Sequence, residues 1–361
     1  MSIKRVGILT SGGDCQGLNA AIRGVCKSLY GIYGEENIEI YGIVDGYRGL
    51  INCEYRFLKR EEFSGILNLG GTILGTSREP FKRIRDIEKN NIDKLSFMKE
   101  TYKKLKLDCL VILGGNGTHK TANLLSSEGL NVVTLPKTID NDLFGTDVTF
   151  GFHSAVGIAS QVIDCIHTTA TSHGRIFIVE IMGNKVGWLT LYSGIASGAD
   201  IILIPEIPYN LNSIIRSLEN RSKQGKNFSI IAMAEGSIPV EYKNLSKSER
   251  KDKLKKNNCS TISYKLANDL EKAVGQEIRV TVPGHFQRGG DPCPYDRILA
   301  TRFGSFAARL ISESRYGNMV SLQNDKVVAI PLEDVAGKLK TVPEDSQIIL
   351  SARRIGTTFG D

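Results

Sequence analysis

Six times along this chain a short, almost wholly apolar run stops at a polar stretch, glycine-bearing in five of the six. "RVGILT" (5–10) gives way to "SGGD", "CLVIL" (109–113) to "GGNGT", and "VVTL" (132–135) to "PKTIDND". "RIFIVE" (175–180) leads into "IMGN", "SIIAMA" into Glu235, and "IRVTV" into "PGHFQRGG". Further apolar runs lie at "IEIYGIV" (38–44) and "DIILIP" (200–205). Strands this uniformly apolar are buried on both faces, as in parallel sheets covered by helices. Between them apolar residues recur at helical spacing: Leu18, Ala21, Ile22, Val25 and Leu29, then Leu95, Met98, Tyr102 and Leu105. The fold class is therefore α/β. The strands outnumber one comfortable sheet, which predicts two doubly wound, mostly parallel-sheet, Rossmann-like domains.

Open α/β sheets bind ligands beyond the carboxyl ends of their strands. Any one of the six motifs alone reads as a tight turn. Together, at six such ends, they mark a site. "TSGGD" offers Gly12 and Gly13 as bare backbone N–H groups for an anion, with a helix start close behind. It is neither a P-loop nor a G-x-G-x-x-G fingerprint. "GGNGT" (114–118) is a second turn able to cradle phosphate. In "TIDND", extended chain places Asp140 and Asp142 on one face about 6–7 Å apart, with Thr138 on the same side. That pairing suits one carboxylate that takes a proton and a neighbour that meets a metal or sugar hydroxyls. An Asx-turn is the alternative for "DND" (140–142) taken alone. Arg78, Arg175, Arg279, His285 and Arg288 add cations, and Arg is well suited to bidentate phosphate recognition. Two phosphate cradles, a carboxylate pair and a cation cluster equip a chain to move a phosphoryl group onto a phosphorylated acceptor.

Composition sets the class. Lys and Arg number 46 against 39 Asp and Glu, a net charge of +7, too diffuse to point to nucleic acid. The run "KSERKDKLKK" (247–256) carries much of the excess and reads as a solvated helix or insertion. Seven scattered cysteines without a C-x-x-C pair predict reduced thiols. With no apolar run near ~18 residues and a first strand at residue 5, a cytoplasmic protein is expected, with no membrane partner.

The motifs "LTSGGDCQGLNAAIRG", "GGTILGTSR", "GGNGT", "PKTIDND", "RIFIVEIMG" and "PGHFQRGGDPCPYDRILATRFG" resemble those of the 6-phosphofructokinase family, in that family's order from residue 3 to about 310. The resemblance implies a larger donor-binding domain (1–151 plus about 284–337) and a smaller acceptor-binding one (about 152–283 plus 338–361). It implies that Gly12, Arg78, Glu79, Gly115, Asn116, Gly117 and Thr118 bind the donor, with Mg²⁺ held near Asn116 and Asp142. Asp140 would take the proton from the C1 hydroxyl of fructose 6-phosphate, with Thr138, Arg78 and Gly12 completing the catalytic set. Ile139, Asp142, Met182, Gly183, Asn184 and Glu235 would surround the sugar. His285, Phe286, Gln287 and Arg288 would meet it at the 6-phosphate end. Arg175 and Arg279 would reach in from a neighbouring subunit, so a homodimer or homotetramer is implied.

Donor choice follows from two positions. Glycine at 117 goes in this family with ATP, and aspartate there with pyrophosphate, because a carboxylate repels the α-phosphate. Lys137 is the residue of pyrophosphate users, although a mixed branch combines it with glycine and uses ATP. The expectation is ATP, with pyrophosphate as the alternative. Asn116 replaces a usual acid and Asn184 a usual arginine, which keeps open a third reading as a weakly active sugar-phosphate-binding regulator. A kinase of the NAD or lipid type would leave "PKTIDND" and "HFQRGG" without a role.

Overall fold

A computed structural model describes residues 3–86 and 93–361. The chain divides into two compact units, Met1–Ser154 with Arg288–Lys340, and Ala155–Gln287 with Thr341–Asp361. The crossings fall a few residues beyond the expected ones, so His285, Phe286 and Gln287 belong to the second unit.

In the first unit, with strands numbered along the chain, β1 (Lys4–Thr10), β2 (Ile38–Ile43), β3 (Tyr55–Phe57), β4 (Cys109–Gly114) and β5 (Val132–Pro136) are joined by β10 (Asn318–Gln323) and β11 (Lys326–Pro331). Their order is β11-β10-β5-β4-β1-β2-β3. The core strands are parallel, and every residue of β4 and β5 is buried, as their apolar runs require. Two antiparallel edges, β3 and β11, were not legible as strands. The β10–β11 hairpin turns at Asn324 and Asp325, both at positive φ (49° and 61°), the conformation a tight two-residue hairpin demands. Helices Leu18–Tyr33 and Pro294–Ser312 pack so closely that a Cβ at Gly304 would stand 2.6 Å from Ala21 O.

The second unit holds β6 (Ile176–Ile181), β7 (Ile201–Leu203), β8 (Ser229–Ala234) and β9 (Ile278–Thr281) in one parallel sheet of order β7-β8-β6-β9. Its core is built on Ile176, Ile178, Ile231, Met233, Leu266 and Leu270. The charged run folds as helix Lys247–Lys256, started by a capping box of Ser246 and Glu249, and buries none of its residues. No helix among the described residues is long and apolar enough to cross a membrane, and all seven cysteines are free thiols.

Candidate active site

In the first unit β4 lies between β1 and β5, paired Thr10 to Leu113 and Gly114 to Pro136, so three strand ends lie side by side. The ladder continues past them through Ser11 N to Leu113 O (2.9 Å) and Lys137 N to Gly114 O (2.9 Å). "SGGD", "GGNGT" and "KTIDND" therefore leave the sheet together.

The first loop differs from expectation in one respect. Gly12 takes φ 87°, where glycine is favoured, but its N–H is not bare: it donates to Ser77 O at 2.9 Å, and Thr76 Oγ1 donates to Gly12 O at 2.7 Å. Gly13 is the glycine that faces the cations. A Cβ there would stand 2.9 Å from Arg288 Nη1 and 3.2 Å from Arg78 Nη2, so two guanidiniums converge over it. Arg288 is steadied by donating to Asp14 O at 3.0 Å. Lys137 lies beneath the loop, 2% exposed, and its ammonium donates to Ser11 O at 2.9 Å and to Gly13 O. Burial pushes its pKa down to about 8.

"GGNGT" opens the helix Asn116–Ser127, whose first N–H groups lack intrahelical partners and suit an anion. Gly114 is required because a Cβ would lie 2.3 Å from the Thr118 side chain. At Gly117 a Cβ meets nothing within 4 Å, so the space above the helix start is open. Asn116 Nδ2 donates to Lys338 O at 2.7 Å, and Tyr47 OH to Thr118 O at 2.9 Å. Glu79 is engaged with Lys94 at 2.9 Å, both side chains largely buried.

"KTIDND" corrects the extended-chain reading. Asn141 has φ 53°, in the left-handed region, so Asp140 and Asp142 are not two steps along one extended face. Asn141 Oδ1 instead closes a turn, accepting from Thr149 N (3.1 Å) and Lys340 Nζ (2.9 Å). Thr138 Oγ1 accepts from Asp140 N at 3.1 Å, and Thr149 Oγ1 donates to Thr138 O at 2.7 Å. Asp140 Oδ1 is shut off from solvent and meets no hydrogen-bond donor among the described residues. Burial pushes the Asp140 pKa up, while the charges of Arg288, Lys137 and Arg78 pull it down. Ile139 behind it is fully buried, a core anchor for this turn.

In the second unit, Met182, Gly183 and Asn184 follow β6. Gly183 takes φ 126°, and a Cβ there would lie 2.7 Å from Val186 O. Gln287 is fully buried and acts as a strut: its Oε1 accepts from Met182 N (3.2 Å) and its Nε2 donates to Gly284 O (3.0 Å). It holds two turns in register, whereas His285 and Phe286 beside it are exposed. Glu235 closes β8, its N–H bonded to Ile181 O at 2.8 Å. It lines a cavity of about 610 Å³ with Glu180, Asn184, Tyr242, Lys247 and Arg250. Lys247 Nζ donates to Asn184 Oδ1 at 3.3 Å, so the solvated helix lends cations to this wall, a role its mixed charge pattern did not signal. Arg175 and Arg279 are both ion-paired to Glu277, which sits two residues before Arg279. Lys340 and Glu277 were missed by the sequence reading. Neither belongs to a polar run at a strand's carboxyl end.

Residues 5–311 match the family model described as Phosphofructokinase. The chain is 58% identical over 98% of its length to the ATP-dependent 6-phosphofructokinase of Spirochaeta thermophila, spanning 97% of that protein. It is 46% identical to ATP-dependent 6-phosphofructokinase 3 of Bacteroides thetaiotaomicron, over 99% of this chain and all of that one. The T-state crystal structure of Pichia pastoris phosphofructokinase superposes with a TM-score of 0.77 at 32% identity, covering 93% of this chain and 36% of that one.

Proposed function

The chain belongs to the phosphofructokinase family, and from that premise we propose that it transfers the γ-phosphoryl of ATP to the C1 hydroxyl of fructose 6-phosphate, forming fructose 1,6-bisphosphate. The observation that carries this reading is the Asp140 carboxylate oxygen, closed to water and without a partner, in a setting where Arg78, Arg288 and Lys137 supply the neighbouring charge. A base needs an acceptor position of that kind, and a phosphoryl in transit needs cations around it.

Each group then has a task. Arg78 neutralises oxygens of the transferring phosphoryl, and Thr138, whose oxygen is fixed by the Asp140 N–H, orients it. The N–H groups at the start of helix Asn116–Ser127 take the donor's phosphates, and the open space at Gly117 accommodates the nucleotide's α-phosphate. Asp140 accepts the C1 hydroxyl proton as the new P–O bond forms and the bond to ADP breaks. In the first unit Asp142 is assigned to the sugar and Arg288 to its 6-phosphate; Met182, Gly183, Asn184, Glu235 and His285 are the second unit's own candidate sugar-phosphate residues. Lys137 is spent on Ser11 O and Gly13 O, so it props the first loop, and the open position at Gly117 favours ATP over pyrophosphate.

Magnesium is proposed to accompany the nucleotide. No group of three or more His, Cys, Asp or Glu among the described residues forms a cage. A phosphate-bound Mg²⁺ needs only one or two protein oxygens. Asn116 gives its NH₂ to Lys338 O, which leaves Oδ1 to offer, and Asp142 adds a carboxylate. These hard donors fit the ion, which when bound offsets the charge of the donor phosphates. We propose that it acts in glycolysis, in the cytoplasm.

Product formation is tested by coupling to aldolase with ATP, Mg²⁺ and fructose 6-phosphate: bisphosphate-dependent signal is expected, and ATP hydrolysis without it would refute the reading. A homo-oligomer in which Arg175 and Arg279 complete a neighbour's site is also proposed, with Glu277 aligning both guanidiniums beforehand. Mixing inactive Asp140→Asn and Arg279→Ala chains and allowing exchange is expected to restore about a quarter of wild-type activity for a shared two-fold site. No recovery after proven exchange would place Arg279 outside any shared site.

A further inference from the structure

We infer that Lys340 is a positioning residue for the phosphoryl transfer, holding the turn that aims the Asp140 carboxylate. The residues just before it form a strap across two loops of the first unit. Gly337 turns the chain at φ 85°, Lys338 O accepts from Asn116 Nδ2, and Leu339 bridges to Leu143. Lys340 N then donates to Asp142 O at 2.9 Å. The donor loop and the base loop are thus fastened to one short segment, which lies beyond residue 311, where the family match ends.

The ammonium completes the fastening. It donates to Asn141 Oδ1 (2.9 Å), Thr146 O (2.9 Å) and Asp147 O (2.8 Å). An ammonium has three N–H donors and no acceptor, so three oxygens match its capacity. One of them belongs to Asn141, the residue held in the left-handed region directly after Asp140. Asn enters that conformation more readily than most non-glycine residues, and hydrogen bonds from its short polar side chain help to hold it there. Lys340 and Thr149 N share that task at a single oxygen. Without the lysine, Asn141 keeps one of two restraints and the Asp140 backbone gains freedom. An unpartnered carboxylate oxygen has no bond of its own to hold its aim, so its direction is inherited from this turn.

The inference rests on Asp140 being the base. Lys340→Met keeps the length of the side chain and removes its donors. It is expected to lower kcat about 10- to 100-fold, the cost of a displaced reacting group, with KM for ATP and fructose 6-phosphate within about 3-fold of wild type. Asn141→Ala is expected to show the same selective loss, and the double variant to be no slower than the slower single one, because both act through one turn. Wild-type kcat in folded Lys340→Met, a rise in KM instead of a fall in kcat, or losses that multiply would overturn the inference. Should Lys340→Met fail to fold, Asn141→Ala decides alone: a kcat-selective loss supports it and wild-type kcat ends it. Asp140→Asn assayed in parallel separates the two levels. Full activity there removes the base assignment and this inference with it, whereas loss there beside an unimpaired Lys340→Met removes only the inference.

Discussion

Asp140→Asn is expected to lower kcat by about 10²- to 10⁴-fold, the contribution of a positioned general base, with KM for fructose 6-phosphate little changed. The amide keeps the shape and cannot accept the proton. Burial raises the Asp140 pKa, so the acid limb of the wild-type kcat profile is expected above the ordinary aspartate value. Below that pKa the base is protonated and idle, and above it the base works. Asparagine removes the limb along with the rate. Stability moves the other way. A carboxyl whose pKa is raised on folding costs stability increasingly as pH rises from its unfolded to its folded pKa and fully above that, and costs none where both states are protonated. Asp140→Asn is therefore expected to melt at a higher temperature than wild type near neutral pH and at no higher temperature in strong acid. A variant that melts earlier at neutral pH would mean the carboxylate is held by structure, not strained for chemistry.

Gly117→Asp is expected to leave the fold intact and spoil ATP as donor. A Cβ at 117 meets nothing within 4 Å, and an acid in the first turn of a helix is welcome there. The new charge faces the place proposed for the α-phosphate. Like charges about 5 Å apart at an effective dielectric of about 20 repel by about 3 kcal/mol, roughly a hundredfold in kcat/KM for ATP. Pyrophosphate has no α-phosphate and should lose far less. Steady-state kinetics with both donors, beside a melting curve, checks the two halves. Unchanged ATP kinetics in a folded variant would place the nucleotide elsewhere.

The buried parallel strands were legible because the core leaves no polar option along them, as in Val111 and Ile112 of β4. The hairpin Asn318–Pro331 was not, because its last strand is only half-buried and its turn uses Asn-Asp without glycine. The strand-end loops were found by their polarity, yet their geometry was not. Extended-chain spacing missed the left-handed Asn141, a conformation imposed by Thr149 and by Lys340, which lies 199 residues away. Gly12 was read as a bare anion ligand, and Ser77 takes its N–H instead. Lys247 looked like one more surface lysine in a charged run, and only folding brings it to Asn184. Local pattern announces which strands and loops exist. Long-range hydrogen bonds decide where their side chains aim.

The most direct measurement is ³¹P NMR of the purified chain given fructose 6-phosphate, Mg²⁺ and equal concentrations of ATP and pyrophosphate. The account predicts that the ATP γ resonance decays as the C1 phosphate of fructose 1,6-bisphosphate grows, with pyrophosphate spent far more slowly. Pyrophosphate consumed first, or ATP lost to inorganic phosphate with no sugar bisphosphate, would contradict it.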